Sequence, residues 1–97
     1  MSTDHRQSAQ DHAKKLIELL KAQPPGDTRE ALLAECESLV IAIGAFHMEG
    51  IRFRMFNVDR LLSRTEGGSE TLRAEFAATR RELEAAGFHT RSHQAPG

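Results

Sequence analysis

Between Pro25 and Gly67 the chain has no proline, and apolar residues recur at helical spacing through the whole stretch. No other feature limits the possible folds as much. Leu32, Cys36, Leu39, Ile43, Phe46, Gly50, Phe53 and Asn57 alternate by four and three. That is a heptad repeat, the spacing of a coiled-coil seam. A second stripe runs beside it through Val40, Gly44, His47, Ile51, Met55, Val58 and Leu62, and Ile41, Ala45 and Met48 make a third side apolar. A helix that is apolar all round has to be surrounded.

The pattern predicts one continuous helix over residues 28–66, about 58 Å long at roughly 1.5 Å per residue. Asp27 reads as its N-cap, with Glu30 three positions on as in a capping box. Upstream, Ala9, Ala13, Leu16, Ile17 and Leu20 share one face of a first helix over residues 9–22, which Pro24-Pro25-Gly26 stops. Downstream, Gly67-Gly68 ends the long helix and Ser69 opens a third one over residues 70–86. Its seam is Leu72, Phe76, Thr79, Leu83 and Ala86. Gly87 and Phe88 suit the left-handed residue and the hydrophobic contact of a Schellman cap. Residues 1–8 and 89–97 are polar and read as disordered tails around a single helical domain, 9–88.

The short connections predict that the outer helices fold back antiparallel on the central one. The first would cover its N-terminal half and the third its C-terminal half, meeting end to end. A long apolar stripe would then stay exposed, more than soluble monomers usually tolerate. The expected remedy is a homodimer, because two-fold pairing buries the same stripe twice. Leu32, Cys36, Leu39, Ile43, Phe46, Gly50 and Phe53 are its expected interface or core. The alternative is a sharp break at Gly44 or Gly50, each costing about 1 kcal/mol relative to Ala in a helix interior. A break would let the chain close on itself as a four-helix monomer.

Composition agrees with an all-α helical bundle. Of 97 residues, 39% are apolar and 28% charged, an ordinary globular balance. Ala, Leu, Glu and Arg are plentiful while Trp and Tyr are absent, so helix formers dominate. The net charge of −1 argues against a nucleic-acid partner, which calls for a basic excess. The longest uncharged run in the apolar cluster, Ser38–Met48, is far short of the roughly 20 residues a membrane span needs. A single cysteine and the lack of a leader-like start give a cytoplasmic location as the expectation.

Candidate sites are few. His47 lies in the second apolar stripe, where it can serve a ligand pocket with Ile51 and Arg54, or simply pack against a hydrogen-bonding neighbour. Cys36 stands about 16 Å from His47 along a continuous helix, too far to share a metal within one chain. Only across an antiparallel dimer would the two meet, and plain core filling suits Cys36 better. Arg54 borders the inner stripe and needs an acidic partner, for which Glu75 and Glu82 are the candidates. Arg52, Arg60 and Arg64 are the residues a DNA-binding dimer would use. His89 and His93 share the i,i+4 spacing of a helical metal pair, but they fall beyond the Gly87 cap.

Phosphate-loop, zinc-protease, paired-cysteine and nucleophile-elbow motifs are all missing. No catalysis, cofactor or resident metal is expected. The expected role is a non-catalytic accessory or regulatory one, exercised through self-association or contact with another protein. The alternative is a small-molecule or metal-responsive sensor with its pocket around His47.

Overall fold

The apolar pattern runs on through residues 43–51, but the helix does not. The computed structural model describes residues 4–65 and 69–88, and these form four helices with no strand among them. They are α1 (His5–Lys21), α2 (Asp27–Gly44), α3 (Met48–Leu62) and α4 (Ser69–Ala85). The single helix expected over 28–66 is therefore two helices, and the described residues form four rather than three.

The break lies between the two suspected glycines, and neither makes it. Phe46 N–H donates to the Ile43 carbonyl at 3.1 Å and His47 N–H to the Ala42 carbonyl at 3.0 Å. That pair of bonds is a Schellman motif, and the residue it places in the left-handed region is Phe46, at φ 57°. His47 follows in extended backbone as the N-cap of α3, its Nδ1 accepting the Gly50 N–H at 2.8 Å. Gly50 matters through close approach. A Cβ there would sit 2.6 Å from His47 Nδ1 and 3.4 Å from the Ala42 Cβ.

The corner also changes which stripe faces inward. On α2 the first stripe is buried: Leu32, Cys36, Leu39 and Ile43. On α3 the second is buried instead, at Ile51, Met55, Val58 and Leu62, joined by Asn57 of the first. The two stripes of an apparently all-apolar helix are thus used in turn, each by one arm of an antiparallel hairpin. Most of the surplus apolar surface that seemed to require a second copy is buried within one chain.

The outer helices differ from expectation too. Instead of meeting end to end along a central helix, α1 and α4 lie side by side and antiparallel. His5 pairs with Glu82 and His12 with Glu75 across their seam. α1 also packs along α2, and α2 along α3, whereas α3 and α4 touch only over a short stretch. The result is an up-down-up-down arrangement, open along one of its four seams and flattened to 38 × 37 × 21 Å.

Helix ends follow local chemistry. α1 begins four residues before the expected start because Asp4 caps it, its carboxylate accepting the Gln7 N–H at 3.0 Å. Residues 5–8, read from the sequence as tail, are its first turn and more. α2 has Gly26 at its N-cap position, so Asp27 lies inside the helix and no side chain caps it. Glu30 pairs with Arg29 rather than closing a capping box. Arg29 in turn closes α1, with Nε donating to the Leu20 carbonyl at 2.9 Å and Nη2 to that of Lys21 at 3.1 Å.

α4 ends as expected. Gly87 stands at φ 98°, its N–H and that of Phe88 bond back to Glu84 and Leu83, and Phe88 packs on the core. Of the seam expected on this helix, Leu72, Phe76, Thr79 and Leu83 are buried and Ala86 is exposed. The Gly67-Gly68 stop and the segment with His89 and His93 lie outside the described residues, as do residues 1–3.

Candidate functional site

The corner between α2 and α3 concentrates what the core leaves out. Ile41 is 71% exposed, Phe46 63% and Phe53 43%, and these are the exposed large apolar side chains of the described residues. Phe46 and Phe53 belong to the first stripe, which the exchange turns outward between Ile43 and Asn57, and Ile41 to the third apolar side, which no helix of the described residues covers. The Arg6 guanidinium of α1 lies 4.7 Å from the centre of the Phe46 ring, and that of Arg54 lies 5.0 Å from the Phe53 ring.

Beside Ile41 is a hollow of about 400 Å³. Small residues make up much of its lining: Ser38 and Ala42 of α2, Ala45 just past its end and Gly50 at the start of α3. Ile41, His47 and Arg54 stand around it. Of the residues the sequence grouped around a ligand pocket, two border this hollow. His47 and Arg54 line it, while Ile51 is fully buried in the core and does not.

His47 is exposed, contrary to the desolvated environment suggested by its stripe. Its Nδ1 accepts the Gly50 N–H, so the ring proton sits on Nε2 in this arrangement. Arg54 pairs with neither Glu75 nor Glu82. Because the corner folds α3 back onto α2, its Nη1 donates to Glu35 Oε1 at 3.0 Å, and Asn57 Nδ2 donates to the same oxygen at 3.2 Å.

Glu75 and Glu82 serve α1 instead. His5 Nδ1 lies 2.7 Å from Glu82 Oε1, His12 bonds Glu75, and Lys15 Nζ stands 4.0 Å from Glu75. The hydrogen bond from His5 holds the Glu82 carboxyl below its usual range, against an opposing desolvation effect. This pairing was missed from the sequence. Its signal was present: His5 and His12 are one heptad apart, as are Glu75 and Glu82.

The expected interface residues fall into two groups. Leu32, Cys36, Leu39 and Ile43 are internal core, and Phe46, Gly50 and Phe53 belong to the corner. The Cys36 thiol is fully buried and pushed up to about 12, chiefly by burial, with the charges of Glu35 and Glu37 adding to it. It is protonated at neutral pH, which leaves it a weak nucleophile and a poor metal ligand. Arg60 and Arg64 are exposed, and Arg52 pairs with Glu49 at 3.2 Å. No helix of the described residues is long and apolar enough to cross a membrane. Comparisons with family models, curated proteins and solved structures returned no match.

Proposed function

We propose that this chain is a non-catalytic helical module that acts by self-association and by contact with other proteins, with the α2–α3 corner as its working surface. The observation that carries this reading is Phe46. A left-handed residue other than glycine or asparagine costs roughly 1–2 kcal/mol. Here it is also a large aromatic with most of its surface in water. Within the fold the ring meets the Arg6 guanidinium, a contact of about 0.5–1 kcal/mol at an exposed site, which is smaller than the strain, and the rest of the ring is open to a partner.

The corner is suited to a second copy. It leaves Phe46 and Ile41 exposed at one helix junction, and Ile41 borders a hollow lined mainly by small side chains. Exposed apolar side chains and a hollow on one patch are what two-fold pairing requires, since each copy offers both. Light scattering on a sizing column across a dilution series tests this directly. The wild type is expected to shift towards twice the chain mass as concentration rises. Phe46→Glu is expected to stay at single-chain mass with its melting temperature kept. Leu39→Ala separates core from surface, because it should lower the melting temperature by creating a cavity, at about 2–5 kcal/mol, whatever the concentration. A wild type that stays monomeric throughout would remove the self-association reading.

The hollow supports a second reading, a small-molecule or metal-responsive sensor, because His47 Nε2 and Arg54 offer polar groups at its edge. A thermal-shift screen over metals, haem and common metabolites addresses it, since a ligand of the folded state raises the melting temperature. A flat response across the screen would dispose of it.

A further inference from the structure

α4 is nearly neutral in sequence, with Glu70, Glu75, Glu82 and Glu84 against Arg73, Arg80 and Arg81. The fold separates those charges. Glu75 and Glu82 face α1 and are held there by His12 and His5. Arg73 and Arg80 each lie two positions earlier, about 200° away around a helix of roughly 3.6 residues per turn. They face the seam that α3 and α4 leave open.

A groove of about 260 Å³ runs along that seam. Its floor is apolar, from Leu62 of α3 and Phe76 of α4, with the small Ala77 leaving the space above them. Its walls carry three arginines, Arg73, Arg80 and Arg81, and two acids, Asp59 and Glu84. Arg73 Nη2 donates to the Leu62 carbonyl at 2.8 Å, and the Arg80 guanidinium lies 5.0 Å from the Phe76 ring centre, which fixes both heads beside the opening. Arg81 lines the groove as well, and Arg60 is exposed on α3 beside Asp59, which lines it. Neither Arg81 nor Arg60 forms an ion pair among the described residues.

We infer that this groove docks an acidic, amphipathic segment of a partner protein. Carboxylates of the segment meet Arg73, Arg81 and Arg60, while one apolar side chain enters above Ala77 towards Phe76 and Leu62. Charge pattern selects a peptide over a nucleic acid. Asp59 and Glu84 stand on the same rim, where a continuous phosphate backbone would run against them and a peptide can place its acids between them. The net charge of −1 supplies no long-range attraction for a polyanion. The inference rests on the interaction reading above and names the kind of partner, at a surface separate from the corner.

The test is fluorescence anisotropy with three labelled probes: a short helical peptide with leucines on one face flanked by glutamates, the same peptide with lysines for the glutamates, and a single-stranded oligonucleotide. The acidic peptide is expected to bind, and to bind more weakly as salt is added. Arg81→Glu should weaken it roughly tenfold, and Ala77→Leu should weaken it by filling the groove, both with unchanged thermal melts. Lys14→Glu, on an exposed face of α1, should leave binding as it was. Failure of the acidic peptide to bind, equal binding of the lysine peptide, or indifference to Arg81→Glu would overturn the proposal. An oligonucleotide that displaces the peptide would give these arginines to nucleic acid and overturn it too. Phe46→Glu should keep peptide binding, so a failure at the groove and a failure of self-association are read separately.

Discussion

The C-terminal ends of α2 and α4 close with the same two backbone hydrogen bonds around one left-handed residue, yet they are made of opposite materials. At α4 that residue is Gly87, which has no Cβ to strain, and the following Phe88 folds onto the core. At α2 it is Phe46, strained and solvent-facing, followed by an N-cap histidine. The α4 end is solved as cheaply as chemistry allows. The α2 end keeps an apolar ring in a conformation that stability disfavours, and that contrast is why the corner, rather than the other helix end, is read as the working surface.

The comparison breaks most readily at Gly87. Gly87→Val puts a β-branched side chain at φ 98° and is expected to lower stability by about 1–2 kcal/mol, measured by urea unfolding. A loss near zero would mean that the α4 cap is not holding the helix end. Phe46→Gly should do the reverse, raising the stability of the single chain by about 1 kcal/mol while reducing self-association. If it destabilises the isolated chain, the ring contributes to the fold and the functional argument from its strain collapses.

His47→Ala removes the α3 cap and should cost about 1 kcal/mol, whereas His47→Asn, a stronger capping residue, should hold or improve stability. Equal losses in the two variants would point to packing of the imidazole instead.

The smallest effect is a pH dependence that leaves the corner untouched. Glu82 binds its proton less readily in the fold than in the unfolded chain, so its contribution is present above its ordinary value of 4.5 and is lost as the pH falls through its lowered folded value. Acid should therefore lower the melting temperature of the wild type by slightly more than that of Glu82→Gln. Identical acid profiles would show that the bond from His5 does not distinguish the folded state.

Much of the architecture was readable because it rests on local, short-range chemistry. Helix-forming composition, the Pro24-Pro25-Gly26 stop, the faces of α1 and α4 and the Gly87 cap all follow from residues within a turn or two of each other. The corner was not readable for a specific reason. A glycine at the left-handed position announces a helix end, but phenylalanine does not, and the heptad spacing continues across the break as though nothing happened. Two overlapping stripes on one helix, and one stripe on each of two helices, are the same string of residues.

Sequence alone therefore determined that the described residues are all-α, where the Pro24-Pro25-Gly26 stop and the Gly87 cap fall, and most of the residues that α1 and α4 bury. Those properties come from side-chain periodicity and backbone propensity, which act between near neighbours. Tertiary structure alone decided that α2 and α3 exchange stripes, that Arg54 meets Glu35, and that the glutamates of α4 turn to α1 while its arginines border an open groove. Each of these depends on which distant helix lies alongside, and a pattern of spacings carries no record of that.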